Sequence, residues 1–566
     1  MSGGKHLERA FEDEIVAHLT AHGWRLGDPQ RYDKALALYP DDVLGWLEET
    51  QPKMLAKVAV PTGGTVAAVV LARLAEVLNK DGALRVLRRG FKHVSASFTM
   101  SQTRPSQGLN PATLALYAAV RCTVIRQVRY SRHKGDSLDL VFCVNGVPVA
   151  TAELKTDFTQ TLADAIAQYQ HDRPPKDPYT KETEPLLAGR RAIVHFAVST
   201  DRVAMATRLA GPATRFLPFD IGDDGGAGNP PNPHGYRTAY LWERVLGRDS
   251  LLDIIANFAH AGTVEEVAAD GTKQHKEMLI FPRYHQWEAV GALLAAAKRE
   301  GPGHNYLIQH SAGSGKSNSI AWLAHRLATL HDDRDKKLFD SVIVVTDRTV
   351  LDRQLRETIY QFEHKSGVVV PIKDDGPAKS DQLRKALLAR APIIIVTLQT
   401  FPFVIKALAQ EKALGSRAYA VIADEAHSSQ TGSAASGLTR ALTGGTNGAR
   451  AADVDAEAGE FDAEEVMLAG MAARAEHRNV SYFAFTATPK AKTLQRFGRL
   501  PDPTQPESAT NLPQAFHVYT MQQAIEEGFI LDVLRNYTPT GWRSSWRTTA
   551  RSTTTRRSIR QRRSKA

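Results

Sequence analysis

A strand, a glycine loop and the start of a helix follow one another in Tyr306-Leu307-Ile308-Gln309-His310-Ser311-Ala312-Gly313-Ser314-Gly315-Lys316-Ser317. The loop amides and the helix N-terminus of such a stretch favour a bound phosphate. Lys316 would reach the β- and γ-phosphates of a nucleotide, and Ser317 would ligate its Mg²⁺. The full pattern has Gly where this chain has His310, but the core directly after the strand is kept. The stretch predicts an ATP site built from Gly313, Ser314, Gly315, Lys316 and Ser317.

Short apolar strands alternate with helical stretches on both sides of this loop, from about residue 280 onward. This alternation is typical of a parallel sheet with helices on both faces, an α/β fold. Residues 441–465, rich in Gly, Ala and acids, are predicted to be a surface insertion. The predicted strands are Tyr306–Ile308, Val342–Val345, Ile393–Val396, Ala420–Ala423 and Tyr482–Phe485.

Two acids end one of these strands, in Asp424-Glu425-Ala426-His427. At the end of a buried strand, Asp424 could hold Mg²⁺ through water, and Glu425 could orient the attacking water. Ordinary surface acids are the alternative. A phosphate-binding loop 108 residues upstream favours the nucleotide interpretation.

A second group of charged residues lies near the start of the chain. Residues 123–130, 138–144 and 147–154 are predicted strands, and Asn145-Gly146 is a strong hairpin signal. The hairpin would bring Asp139 beside Glu153 and Lys155, which are two apart and so share a face. Asp139 and Glu153 could hold Mg²⁺, and Lys155 could orient water. A Glu-x-Lys pair also occurs by chance on solvated strand faces. However, two charged side chains at the end of an apolar strand lose hydration, which costs free energy, and this favours a functional role.

Two predicted helices border this group. Residues 6–22 form an amphipathic helix on which Glu8 or Glu12 could supply a further acid, and the sequence does not choose between them. The helix over 161–170 carries Gln168 and Tyr169. An ordinary amphipathic helix explains their spacing equally well.

The hairpin resembles the core of PD-(D/E)xK nucleases, and the helix after it is similar to the one in the RecB-like branch. The resemblance implies that Gln168 and Tyr169 face DNA or support the core. In the second half, Thr486-Ala487-Thr488-Pro489 resembles helicase motif III. Thr346-Asp347-Arg348 and Thr397-Leu398-Gln399-Thr400 resemble the DNA-backbone motifs, which makes Arg348, Thr397 and Gln399 candidate DNA contacts. Gln286 resembles the adenine-reading glutamine of these motors.

A RecB-like nuclease followed by a RecA-like superfamily 2 motor resembles the restriction (R) subunit of type I restriction–modification enzymes. Stretches such as Arg208–Pro212 and Gly235–Trp242 add to the resemblance. It implies an ATP- and Mg²⁺-dependent enzyme that translocates double-stranded DNA and cleaves unmodified DNA together with methylation (M) and specificity (S) subunits. One alternative is an ATP-binding, DNA-binding regulatory protein without productive motor activity. Another, an RNA helicase of the DEAH type, would not require the acidic hairpin.

These features divide the chain into a nuclease domain (1–260), a linker (261–279), a RecA-like domain (280–537) and a basic low-complexity tail (538–566). The resembled family continues into a second RecA-like domain, so we expect a frameshifted or prematurely ended reading frame. A DNA-binding tail is the alternative. Tails of this composition cannot bury a core.

Composition limits the partners that can be inferred from charge. The formal charge is +10, but residues 541–566 hold nine Arg and Lys and no acid, which leaves +1 for the rest. DNA binding therefore has to be argued from sites. Two cysteines, Cys122 and Cys143, exclude a disulfide framework and favour a reducing cytoplasm. No apolar run is long enough for a membrane span, so no membrane partner is expected.

Overall fold

The computed structural model describes residues 2–105, 108, 110–156, 160–267, 273–346, 355–360, 368–372, 379–397, 417–424 and 479–532. No helix among these residues is long and apolar enough to cross a membrane. Two seven-stranded sheets organise the chain, one on each side of a two-stranded hairpin.

The first sheet has the strand order β1-β4-β5-β6-β7-β8-β9. Pairing is antiparallel from β4 through β6, parallel between β6 and β7, and antiparallel again through β9. Its strands are β1 (Arg25–Gly27), β4 (Cys122–Arg129), β5 (Ser137–Val144), β6 (Val147–Leu154), β7 (Val194–Val198), β8 (Val203–Ala206) and β9 (Leu217–Pro218). The strands β2 (Phe91–His93) and β3 (Ala96–Phe98) pair with each other in a separate antiparallel sheet. The helices are α1 (Ser2–Ala21), α2 (Pro40–Thr50), α3 (Pro52–Leu55), α4 (Val66–Asp81), α5 (Ala83–Arg89), α6 (Pro111–Ala119), α7 (Leu162–Ala167) and α8 (Arg248–Asp253).

The turn between β5 and β6 is the one that the sequence predicts. Asn145 and Gly146 both have positive φ, 47° and 77°, as a two-residue hairpin turn with the right twist requires. The Asn145 side chain also donates to the Met100 carbonyl at 2.9 Å and accepts from the Arg121 amide at 2.8 Å. A Cβ on Gly146 would lie 2.4 Å from the Tyr39 carbonyl oxygen, so only glycine fits here.

Two predicted helices are less regular than their sequence patterns suggest. The helix expected over 161–170 is α7 followed by a π-helical turn, Gln168–Asp172. The sequence also predicts one helix over 241–260, and the structure has there a π-helical turn at Leu241–Val245, then α8, then a second π-helical turn at Ile254–Phe258. Each π turn adds a residue to the helical repeat and so shifts the buried face.

The segment predicted as a linker forms an antiparallel hairpin. Its strands are β10 (His260–Val267) and β11 (Lys273–Ile280), paired from His260 with Ile280 to Val267 with Lys273.

The second sheet is entirely parallel, in the order β14-β15-β13-β16-β17-β12-β18. All five strands predicted from sequence are present, and the α/β fold class is confirmed. The short edge strands β14 and β18 were not predicted. The elements are α9 (Tyr284–Glu300), β12 (Asn305–His310), α10 (Lys316–Ala328), β13 (Ser341–Thr346), β14 (Val369–Pro371), α11 (Lys379–Leu388), β15 (Ile393–Thr397), β16 (Tyr419–Ala423), β17 (Val480–Thr486), α12 (Ala491–Phe497), β18 (His517–Tyr519) and α13 (Met521–Glu526).

One buried apolar cluster runs through both halves of the chain. Trp322 of α10 packs on Phe258, with ring centroids 5.5 Å apart, and its indole Nε1 donates to the Phe258 carbonyl at 2.9 Å. On another side, the Glu526 carboxylate of α13 accepts from the Ala227 amide at 2.7 Å. The two halves therefore share both apolar and polar contacts.

We expect Trp322→Phe to lower the free energy of unfolding by about 1–3 kcal/mol, because the buried Phe258 carbonyl loses its donor while the ring packing is largely kept. Urea unfolding followed by far-UV circular dichroism measures the change. Trp287→Phe is the control, since Trp287 is partly exposed, and it should cost less. Equal losses in the two variants would contradict the assigned role of the indole hydrogen bond.

Candidate functional site

Asp139 and Glu153 meet at one end of the β5–β6 hairpin. The last registered pair is Leu140 with Ala152, so Asp139 falls at the next position, opposite Glu153. Asp139 Oδ2 accepts from the Leu154 amide at 2.8 Å, which anchors this carboxylate to the strand that carries Glu153. The structure thus brings together two of the three residues predicted from this hairpin.

The Glu153 carboxyl is fully buried. Burial and the adjacent Asp139 carboxylate raise its pKa well above the usual range, and the Arg173 guanidinium opposes this shift. Arg173 Nε lies 2.8 Å from Glu153 Oε1, whereas Oε2 is buried with no hydrogen-bond partner. Two converging carboxylates and one unsatisfied buried oxygen are the donor chemistry that a hard divalent cation requires.

Within the described ranges, no three His, Cys, Asp or Glu side chains converge so as to enclose a metal ion. An ion held by Asp139 and Glu153 would take its other ligands from water or phosphate. Mg²⁺ is commonly bound in this way, through one or two carboxylates and substrate oxygens. The residues present therefore fit Mg²⁺ as a shared ion of protein and substrate.

Lys155 follows directly after β6 and is nearly buried. Its Nζ lies 2.9 Å from Glu8 Oε1 on α1. Glu12, one turn further along α1, accepts from Gln127 Nε2 at 3.2 Å, and the same amide donates to Asp139 Oδ1 at 3.1 Å. Of the two candidate acids of the first helix, Glu12 is therefore linked to Asp139 through Gln127, and Glu8 pairs with Lys155.

Sequence reasoning missed three side chains of this network. Arg173 pairs with Glu153, Arg126 lies 2.7 Å from Glu12 Oε1, and Gln127 bridges Glu12 and Asp139. Gln127 has φ +48°, a conformation that is uncommon for a residue with a side chain. No local sequence pattern indicates these positions. The one available signal was Arg173, an arginine shortly after the predicted helix, which could have been proposed as a partner of the acidic residues.

Tyr169 is fully buried, which favours support of the core over DNA contact, the two roles predicted for it. Its hydroxyl lies 2.7 Å from Thr151 Oγ1, and the same oxygen lies 2.8 Å from His195 Nδ1. Tyr169 thereby supports the strand that carries Glu153. Gln168 is half-buried in the π turn, and its Oε1 has no hydrogen-bond partner.

The nucleotide loop has the backbone that its sequence predicts. Gly313 and Gly315 have φ of +72° and +77°, and α10 begins at Lys316. Lys316 Nζ lies 3.4 Å from the His310 carbonyl oxygen, and Ser317 lies in the first turn of α10. The glycine loop and the N-terminus of α10 thus lie together at the carboxyl end of β12.

Residues just before α9 and in its first turn hold this loop through its carbonyl oxygens. Gln286 Nε2 donates to Gly315 at 3.0 Å and to Ser314 at 3.2 Å, and Arg283 Nη2 donates to Gly313 at 2.9 Å. A Cβ on Gly315 would lie 2.5 Å from Gln286 Nε2, so glycine is required here. Gln286, predicted to read adenine, binds the loop itself in this structure. No sequence pattern indicates the role of Arg283.

The other motif residues follow the carboxyl ends of neighbouring strands. Asp424 comes directly after β16, and its amide donates to the Val345 carbonyl at 3.2 Å. Thr346 and Thr397 are paired at the ends of β13 and β15, and Thr486 ends β17. Ligands of parallel α/β sheets bind at this edge. Glu425, Arg348 and Gln399 lie outside the described residues.

Comparisons with known protein families agree with this two-part architecture. The family model "Type I restriction enzyme R protein N terminus" matches residues 74–210. The SWI2/SNF2 ATPase model matches residues 285–550. Together they define a restriction-type N-terminal domain joined to a helicase-like ATPase. In its N-terminal half the chain is therefore similar to the R proteins of type I restriction enzymes, and in its C-terminal half to SWI2/SNF2 ATPases.

One curated relative is the type I restriction enzyme HindI endonuclease subunit of Haemophilus influenzae, 26% identical over 330 residues. The match covers 55% of this chain and 28% of that protein, so the chain spans well under half of the length of its relative.

Solved structures share local similarity with the chain. A fragment of an HsdR subunit of a type I restriction enzyme from Vibrio vulnificus is 14% identical, covers 70% of this chain and 52% of its own, and has a TM-score of 0.27. The Sulfolobus solfataricus SWI2/SNF2 ATPase core in complex with double-stranded DNA is 13% identical, covers 37% and 32%, and has a TM-score of 0.22. The similarity to type I restriction R proteins rests on the sequence comparisons.

The buried His195 predicts a specific acid sensitivity of the nuclease-like half. Burial lowers its pKa from 6.5 to about 3, so between these values the unfolded chain binds more protons. Stability from this group is therefore full above pH 6.5 and is lost as the pH falls toward 3. By pH 5 we expect a loss of about 2 kcal/mol that His195→Gln does not show.

Urea unfolding at pH 7.5 and pH 5 tests this expectation through the difference between wild type and variant. His304→Gln is the control, because His304 is about half exposed, and it should follow the wild type. An equal acid loss in wild type and His195→Gln would show that His195 does not titrate in this way.

Proposed function

We propose that the chain acts on double-stranded DNA as the ATP-dependent, DNA-cleaving part of a type I restriction enzyme, together with methylation and specificity subunits. The observation that carries the nuclease assignment is the pairing of Asp139 with the buried Glu153, whose Oε2 has no hydrogen-bond partner. Two adjacent carboxylates repel each other unless one is protonated or a cation lies between them, and a bound Mg²⁺ would supply that cation. A DNA-cleaving centre that binds Mg²⁺ would account for this pair of carboxylates.

At this centre Asp139 and Glu153 would hold Mg²⁺, which when bound supplies Lewis-acid activation of water and charge stabilisation. Lys155 would orient the attacking water and offset phosphate charge, and Glu8 keeps its ammonium in place. Arg173 neutralises part of the Glu153 charge. Gln127 joins Asp139 to Glu12 and so holds the partly buried Asp139 carboxylate in one orientation.

At the second centre the amides of the Gly313–Ser317 loop and the N-terminus of α10 would receive the phosphates of ATP. Lys316 would neutralise the β- and γ-phosphates, and Ser317 and Asp424 would hold the nucleotide's Mg²⁺. Glu425 is proposed as the residue that orients water. Arg283 and Gln286 keep the loop amides turned toward the ligand, because they bind the carbonyls on its other side.

Lys155→Ala should remove Mg²⁺-dependent nicking of supercoiled DNA, and Asp139→Asn should do the same, because each removes a charge needed in the transition state. The measurement is agarose-gel conversion of plasmid with Mg²⁺ and with EDTA. Lys53→Ala and Asp333→Asn, both at exposed positions, are the matched controls. Undiminished nicking by Lys155→Ala would exclude this centre as the nuclease site.

Lys316→Ala should abolish the stabilisation by Mg·ATP. A ligand at 100 times its dissociation constant stabilises a protein by about 2.7 kcal/mol, which is visible as a rise in Tm. Differential scanning fluorimetry with and without Mg·ATP measures it, and Lys336→Ala, at an exposed position, is the control. The same ATP-induced shift in Lys316→Ala and wild type would rule out this loop as the nucleotide site.

A further inference from the structure

Three ionisable side chains next to the nucleotide loop form a continuous hydrogen-bonded row. His310 is the last residue of β12, His517 is the first of β18, and Glu288 lies on α9. His310 Nε2 is 2.8 Å from His517 Nδ1, and His517 Nε2 is 2.6 Å from Glu288 Oε2. The row joins three elements that are far apart in sequence.

The direction of the hydrogen bond to Glu288 follows from the chemistry of that group. A carboxylate only accepts, so His517 Nε2 carries a proton and donates to Glu288. The other ring nitrogen, His517 Nδ1, shares a hydrogen bond with His310 Nε2. His310 Nδ1 is buried and has no hydrogen-bond partner. Glu288 thus fixes the orientation of the His517 ring, and His517 in turn that of the His310 ring.

His310 cannot easily become charged in this position. Burial first, and then the neighbouring His517, His285, Lys316 and Arg283, lower its pKa well below the usual range. A charged ring here would repel the ammonium of Lys316. The row therefore keeps a neutral ring where the usual loop pattern has a glycine.

The backbone of His310 also touches the loop. Its carbonyl oxygen is the group that Lys316 Nζ approaches at 3.4 Å. The next amide, of Ser311, donates to the Tyr519 carbonyl at 3.0 Å, and Tyr519 is two residues after His517. A shift of His517 would therefore move both the His310 ring and the His310–Ser311 peptide, at which the loop begins.

We propose that Glu288, His517 and His310 form a hydrogen-bonded relay that positions the nucleotide loop, so that Lys316 meets the phosphates from a strand end held in one orientation. They are positioning residues and do not contact the nucleotide. The inference rests on the proposed binding of ATP at Lys316, and it adds three residues outside the loop to that site.

The test is the affinity of the full chain for a fluorescent ATP analogue with Mg²⁺, measured by equilibrium titration. Glu288→Ala and His517→Ala should each weaken binding by about five- to tenfold, the size of one lost hydrogen bond. Glu288→Gln should stay within about twofold of wild type, because its amide oxygen still accepts from His517. His304→Ala, a half-exposed histidine before β12, is the control.

A double variant separates the relay from general loss of packing. If Glu288 acts only through His517, the pair Glu288→Ala and His517→Ala should bind no more weakly than His517→Ala alone. Additive losses, or failure of Glu288→Gln to restore affinity, would overturn the relay. Should His517→Ala fail to fold, the contrast between Glu288→Ala and Glu288→Gln decides alone, since Glu288 is partly exposed.

The outcomes also separate the relay from the function on which it rests. If Lys316→Ala binds the analogue as wild type does, the nucleotide site itself is wrong and the relay falls with it. If Lys316→Ala abolishes binding while Glu288→Ala and His517→Ala bind normally, the site stands and the relay alone is excluded.

Discussion

The central strands of both sheets are covered on both faces, and this constraint decides where chemistry can occur. Every residue of β6 is buried, as is every residue of β13, β15, β16 and β17. Charged groups inside such strands would lose their hydration without compensation. Functional side chains are therefore confined to strand ends. Glu153 is the one charged residue within β6, one position from its end, and it is paired with Arg173.

The two candidate sites use this constraint differently. At the hairpin, antiparallel pairing returns the chain to the same end of the sheet, so residues 14 apart become neighbours. In the parallel sheet, each crossover brings the chain back to the same edge, so the glycine loop, Asp424, Thr346 and Thr397 gather from distant positions. In both cases hydrogen bonds from outside the sheet complete the site: α1 supplies Glu8 and Glu12, and the start of α9 supplies Arg283 and Gln286.

The two halves are connected near the nucleotide loop. α13 contacts the 221–227 loop of the first half, and the residues that follow it pass over the nucleotide loop. The Phe529 ring lies 3.9 Å from the Arg283 guanidinium, and Ile530 approaches Gly313 so closely that a Cβ there would lie 2.9 Å from it. The nucleotide loop therefore contacts Phe529 and Ile530, which directly follow the helix that is hydrogen-bonded to the first half. The shared apolar cluster around Trp322 makes independent movement of the halves costly.

The sequence by itself determined the local features: the strands of the parallel sheet, the Asn145-Gly146 turn, the glycine loop before α10, and the placement of Asp139 near Glu153. Each depends on neighbouring residues or on a simple strand repeat, which a linear pattern records. The tertiary structure alone decided that Tyr169 is buried, that Glu8 and Glu12 both join the network, and that Gln127, Arg173 and Arg283 complete the sites. These roles rest on hydrogen bonds between elements distant in the chain. Their partners are set by packing and by helix irregularities such as the π turn at 168–172, and no local pattern encodes them.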